Sequence, residues 1–155
     1  MDPLTRIKRI ADYQFGRGVG DVLFPDDVEI EYSKGTGRIR YVYLKGKRLA
    51  TLRPTDGLFS LSIYGAERIT KSGFPAKCLV TVDADAAKFV AAGGDVFAGY
   101  VIRADDEIRP KDEVIVINEE GEVVAVGRAV LSGSEMAVFR VGVAVKVRRG
   151  RIEES

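Results

Sequence analysis

The chain predicts an α+β protein: a small helix-plus-antiparallel-sheet domain over residues 1–74, followed by a small mixed β-barrel over residues 75–152. Three observations carry this expectation. An amphipathic helical pattern at the start gives way to runs that alternate with period two between turn formers. Ser72-Gly73-Phe74-Pro75 then combines turn residues with no periodicity, which marks a boundary. Beyond it come five or six short strands with brief helical insertions, a pattern that removes exposed edges by closing into a barrel.

The first helix is expected after Asp2, a good cap, and Pro3, which suits the first helical position. Leu4, Ile7, Ile10 and Ala11 share one face, and Gly16 ends the helix. The run FGRGVG at 15–20 has the glycines of a phosphate loop. No strand precedes it and no Gly-Lys-Ser/Thr closes it, so it reads as a turn. Strands follow at 28–32 and 38–44, with a hairpin turn at Lys45-Gly46-Lys47 and a return through RLATLR. Asp56-Gly57 turns the chain into a strand at 58–63, where Phe59, Leu61 and Ile63 share a face. A short helix is expected from Gly65 to Lys71.

The second half opens with a strand at 78–82. Asp83 caps a short helix carrying Ala86, Ala87, Phe89, Val90 and Ala91, with Asp85 in its first turn. Strands are expected at 95–102, 113–118 and 122–131, with a hairpin turn at Glu120-Gly121. One helical turn at 132–139 leads to a closing strand at 142–149. There Val143, Val145 and Val147 face one way while Lys146 and Arg148 face the other.

Composition narrows the chemistry. Hydrophobic residues are 46% and charged residues 30%, a globular balance, and no apolar run approaches the roughly 20 residues of a membrane span. The absence of an apolar signal core and the single Cys78 predict a cytoplasmic protein without membrane association or a disulfide framework. With no histidine and one cysteine, neither a zinc site of those ligands nor histidine acid–base catalysis is available. Carboxylate or lysine chemistry stays open, but nothing in the sequence concentrates it, so no metal, no cofactor and no catalytic residue is expected. The run Asp105, Asp106 and Glu107 reads as a solvated turn, because no further ligand cluster accompanies it. Charge is uneven: residues 1–77 hold 14 basic against 9 acidic side chains, and residues 78–155 hold 10 against 14. A basic strand nevertheless closes the second half, with Lys146, Arg148, Arg149 and Arg151. Such asymmetry points weakly to nucleic acid, or is simply two charged surfaces.

The helix ending FVAAGG, the strand DVFAGYVI, the turn ADDEIRPKDEV, the hairpin VIVINEEGEVVAVGRAVLS and the terminal GVAVKVRRG resemble, in that order, a PUA domain. This is the RNA-binding module of pseudouridine synthases and archaeosine transglycosylases. Residues 10–69, from IADYQFGRGVG through YGAERI, resemble the small domain that precedes it in archaeal tRNA-guanine transglycosylases. The resemblance implies a PUA-type mixed barrel after a pre-PUA α+β domain that is similar to the transglycosylase C2 domain. It also implies a noncatalytic RNA-binding protein. Its RNA would be tRNA, held at the acceptor stem or 3′ end in support of a separate tRNA-modifying catalytic chain. The family's catalytic TIM barrel needs about 250 residues and does not fit in 155. The acidic balance of the second half supports another reading, a protein-interaction module of a ribosomal or RNA-modification assembly.

In PUA domains, RNA lies beside the first helix, its following loop and the last strand. The resemblance carries this onto Gly93, Gly94, Phe97, Lys146, Arg148 and Arg149. Glycines admit a phosphate or ribose close to the backbone and leave N–H groups to donate, although Gly93 also fits a simple helix cap. Lys146 and Arg148 on one strand face would follow a phosphate path, or form only a solvated face. The alternation of Phe97 with Gly99 and Val101 favours core packing over a base-stacking platform. Lys88 and Arg128 are secondary candidates. In the first half, Arg38 and Arg40 lie two apart and share a strand face; with Lys45, Lys47 and Arg48 they line one hairpin, where they could track a backbone or simply keep a sheet edge from pairing.

Overall fold

A computed structural model describes residues 1–153, which divide after Ala76 into two compact units. In the first unit, α1 (Pro3–Phe15) starts where the Asp2 carboxylate accepts the Thr5 N–H at 2.8 Å. Ile7, Ala11 and Phe15, spaced by four, form its buried stripe. Gly16 ends it with φ of 133°, a conformation that favours glycine. The FGRGVG run is not a simple turn: it opens into a second helix, α2 (Val19–Leu23). The reason lies in Gly20. A Cβ there would come within 2.1 Å of the Lys8 carbonyl oxygen, and its N–H donates to Asp12 Oδ1 at 2.6 Å. That glycine lets α2 seat against α1.

A four-stranded antiparallel sheet follows, in the order β1 (Glu29–Tyr32), β2 (Ile39–Leu44), β3 (Lys47–Leu52) and β4 (Phe59–Leu61). Lys45 and Gly46, with φ of 51° and 81°, close the two-residue β2–β3 hairpin. The β1–β2 and β3–β4 turns therefore lie together at the opposite end of the sheet. The last strand is shorter than its alternation predicts. Ser62 leaves the sheet and caps α3 (Ile63–Lys71), its Oγ accepting the Gly65 N–H at 2.9 Å and donating to the Arg48 carbonyl at 2.6 Å. Ile63 is thus a helix residue, buried on α3 instead of continuing the strand. Gln14 fastens α1 to β4 through both of its amide atoms: Nε2 donates to the Phe59 carbonyl at 2.7 Å, and Oε1 accepts the Phe59 N–H at 2.8 Å. Phe24 and Phe59 pack at 5.1 Å between ring centres.

The second unit begins with β5 (Leu79–Val82) and α4 (Ala84–Ala91), the latter capped by Asp83, whose carboxylate accepts the Ala86 N–H at 2.8 Å. The remaining strands are β6 (Val96–Phe97), β7 (Val101–Ala104), β8 (Glu113–Ile117), β9 (Val123–Ala129) and β10 (Val143–Gly150). A helix α5 (Gly133–Val138) precedes β10, and its Ser132 and Glu135 form a reciprocal capping box. The six strands run in the order β6-β10-β9-β8-β5-β7 as a nearly closed mixed barrel, with β5 and β8 its one parallel pair among the described residues. Valines fill its core, among them Val80, Val82, Val90, Val116, Val124 and Val145.

The predicted strand 95–102 is broken in two by a 3-10 turn at Ala98–Tyr100. The cause is topological. β6 pairs with β10 at one edge of the sheet and β7 pairs with β5 at the other, so residues 98–100 must carry the chain from edge to edge. The Ala98 N–H donates to the Gly142 carbonyl at 2.8 Å and the Tyr100 carbonyl accepts the Asp83 N–H at 3.2 Å, one bond at each side of the crossing.

Candidate nucleic-acid interface

The end of α4 is built by its two glycines. The Gly93 N–H donates to the Val90 carbonyl at 2.9 Å and the Gly94 N–H to the Phe89 carbonyl at 3.0 Å. Both amides are consumed in stopping the helix, so the expectation that they stay open to a ligand is corrected. The missing side chains matter in another way. A Cβ on Gly94 would strike the Phe89 ring at 2.2 Å, and one on Gly93, where φ is 106°, would strike the Glu153 carboxylate at 2.6 Å. Gly150, the last residue of β10, lies against the same place: a Cβ there would sit 2.3 Å from the Ala91 carbonyl and 2.7 Å from the Gly93 nitrogen. Close backbone approach thus joins the end of α4 to the basic end of β10.

On β10 the basic residues separate into two kinds. A bulge between Val147 and Arg149 inserts one residue opposite β9. Lys146 pairs with Arg128, and Arg149 pairs with Val126, so Lys146, Arg128 and Arg149 project from one face although 146 and 149 have opposite parity. All three are exposed. The Lys146 ammonium stands 3.6 Å from Asp95 and keeps 73% of its side chain exposed. Asp95 also accepts the Val147 N–H at 2.9 Å, which fixes the loop after α4 to β10. Arg148, the bulge residue, is committed elsewhere. Its guanidinium forms a two-pronged pair with Glu113, 2.8 Å from Nη1 to Oε1 and 2.5 Å from Nη2 to Oε2. The Glu113 side chain is fully buried, whereas that of Arg148 is 40% exposed.

Phe97 is 39% exposed, which corrects the expectation of core packing. The strand alternation that predicted burial stops at the 3-10 turn, one residue later. Phe97 instead joins Phe89, 48% exposed, and Tyr100. The Phe89 and Phe97 rings stack with centres 6.4 Å apart, and Tyr100 meets Phe97 edge-on at 5.5 Å. This aromatic cluster beside Gly94 escaped the sequence argument. A signal was present: Phe89 lies off the stripe of Ala86, Ala87, Val90 and Ala91 that faces the core, next to exposed Lys88. Asp105 is another departure, being partly buried, with its carboxylate accepting the Leu79 N–H at 2.8 Å. Burial raises its pKa above the ordinary carboxylate value.

In the first unit, Arg38 and Arg40 flank Ile39 at the start of β2, with the Arg40 guanidinium 5.4 Å from the centre of the Tyr41 ring. Lys45, Lys47 and Arg48 lie at the other end of the hairpin, and Lys47 stands over the Tyr64 ring at 5.2 Å. The basic hairpin is therefore two separate groups at opposite ends of the sheet. No helix among the described residues is long and apolar enough to cross a membrane.

Residues 5–75 match the model of the patch-forming domain C2 of tRNA-guanine transglycosylase, and residues 79–151 match the PUA domain. The chain is 42% identical over 151 residues to a tRNA-guanine(15) transglycosylase of Methanothermobacter thermautotrophicus, covering 97% of this chain and 23% of that protein. It is 48% identical over 148 residues to the corresponding protein of Pyrococcus furiosus, covering 96% and 25%. The chain thus spans about a quarter of the length of these relatives. Among solved structures, a hypothetical protein from Pyrococcus horikoshii has the same fold (TM-score 0.78, 24% identity, 97% of this chain and 91% of that one). So has a conserved PUA domain protein from Thermoplasma acidophilum (TM-score 0.69, 23% identity, 97% and 89%). Residues 5–75 are therefore a C2 patch-forming domain and residues 79–151 a PUA domain, joined in the order of the C-terminal region of archaeal tRNA-guanine(15) transglycosylases.

Proposed function

We propose that this protein binds tRNA at its acceptor stem or 3′ end and presents it to a separate RNA-modification enzyme, without catalysing the modification itself. The observation that carries this is the unbroken likeness, over nearly the whole chain, to the C2 and PUA portion of enzymes named for acting on tRNA. A PUA domain is an RNA-binding module, and the chain covers only these two domains of its relatives.

The geometry supports a contact surface made by the end of α4 and the second half of β10. Lys146, Arg128 and Arg149 supply exposed cations on one face, suited to phosphates. Lys88 adds a cation on α4. Phe97 and Phe89 offer exposed rings on which an unpaired base can stack. Gly93 and Gly94 keep the helix end low beside them. An A-form stem hides its base edges in a deep groove, so recognition here relies on shape, 2′-hydroxyls and the unpaired end. A salt titration of tRNA binding is the test. Affinity should fall linearly with salt on logarithmic axes and weaken when the unpaired 3′ end is removed. Equal affinity for unrelated duplex RNA, together with no effect of removing the 3′ end, would falsify the proposal. Partners that survive nuclease treatment would favour a protein-interaction module instead.

A further inference from the structure

A cavity of about 240 Å³ opens at the end of the first sheet where the β1–β2 and β3–β4 turns lie together. Four arginines line it, from four different places in the chain: Arg6 on α1, Arg38 just before β2, Arg40 within β2, and Arg53 just after β3. Arg53 is held by Asp56, with Nη2 to Oδ2 at 3.0 Å and Nε to Oδ1 at 3.2 Å. Among the described residues no carboxylate pairs with Arg6, Arg38 or Arg40. One carboxylate, that of Asp56, thus faces four guanidinium-bearing residues, and an entering anion would offset the remaining positive charge.

The walls specify which anion. Ser33 and Thr36 also line the cavity, and the Thr36 hydroxyl oxygen accepts the Arg38 N–H at 3.3 Å, tying the arginine to its turn. The second turn is braced in the same manner: Asp56 Oδ1 accepts the Leu58 N–H at 3.0 Å, and the Gly57 N–H donates to the Arg53 carbonyl at 2.9 Å. Ile39 and Leu52, both buried, give the cavity an apolar floor, with Pro54 beside them. A bare phosphate would leave that floor empty. A carboxylate side chain would meet only a fraction of the guanidinium donors. A nucleotide unit meets both requirements, because its phosphate takes the arginines while its ribose and base cover Ile39, Leu52 and Pro54. Guanidinium planes also stack on bases.

We propose that this arginine-lined cavity between the two turns is a binding pocket for a single unpaired nucleotide of RNA. The pocket lies in the C2 unit, and it is separate from the α4–β10 surface proposed above. A base held in a duplex cannot enter it, so it selects single-stranded RNA. The inference rests on the RNA-binding reading, but its test is read at different residues.

The experiment is amide-resolved NMR of the full chain, titrated with an unstructured RNA tetranucleotide, a blunt RNA duplex and 5′-AMP. The tetranucleotide is expected to shift the amides of Thr36, Arg38 and Gly57 saturably, while the duplex leaves them in place. Arg38→Ala with Arg40→Ala should weaken that response at least tenfold, since the loss of even one of the two charge-assisted contacts is worth about a factor of ten, while spectral dispersion stays unchanged. The shifts at Gly93 and Gly94 should persist in that variant, which separates failure of the pocket from failure of the α4–β10 surface. The proposal is overturned if the turn amides do not move, or if the duplex moves them equally. It is also overturned if 5′-AMP saturates them at as low a concentration as the tetranucleotide, which would assign the cavity to a free nucleotide.

Discussion

Lys146 and Arg148 lie two positions apart on one strand, yet their charges have different destinations. Lys146 remains in water beside Asp95, whereas Arg148 neutralises a carboxylate that has no access to solvent. Mutation should therefore separate them. Lys146→Ala and Arg149→Ala are each expected to leave the melting temperature nearly unchanged and to reduce the salt slope of RNA binding by about one. Arg148→Ala should instead cost about 3 kcal/mol, because it removes the guanidinium that pairs with the buried Glu113 carboxylate. Chemical denaturation of the three variants distinguishes the two outcomes. Cys78 provides a second residue-scale prediction. Burial, reinforced by the negative charge of Asp105, pushes its thiol well above the ordinary value. Iodoacetamide at pH 8 should leave the native protein unmodified and label it fully once denatured; native labelling at the rate of a free cysteine would contradict this.

At the scale of elements, the caps were the most legible features. Asp2 with Pro3, and Asp83 with Asp85, announce helices because the carboxylate that begins each one is local to it. Ser62 hides the same role, since it sits inside an alternating run and only its bonds to the Arg48 and Leu49 carbonyls of β3 show where the strand ends. Gly20 was similarly opaque. Its glycine pattern suggests a loop, whereas its reason is the Lys8 carbonyl on a neighbouring helix. Gly20→Ala should accordingly destabilise the protein by about 1–3 kcal/mol through overpacking, measurable by urea unfolding. A neutral result would mean that α2 shifts to make room. The same distinction holds at the candidate interface. The basic strand β10 could be read directly, but not the bulge that puts Arg149 beside Lys146, because a bulge depends on the pairing strand. The arginine cavity lay further beyond reach, for Arg6 and Arg53 are 47 positions apart and meet only when α1 and the sheet are assembled.

For the whole molecule, the two-part order was legible because each half carries its own hydrophobic pattern and turn formers separate them. Charge follows the same division, with the basic surplus in the first 77 residues and the acidic one in the remainder. On the proposed reading, RNA held by the second unit is attracted by a local group of cations against the sign of its own surroundings. Its association should be unusually sensitive to the loss of any one of them. The barrel itself has a further property that follows from the crossing at Ala98–Tyr100. Three residues connect the two rims of the sheet, so neither rim can peel away without pulling on the other. Deuterium uptake should report this as a shared clock. The amides of β6 and β7 would exchange at one common rate, although the two strands lie at opposite ends of the hydrogen-bonding order.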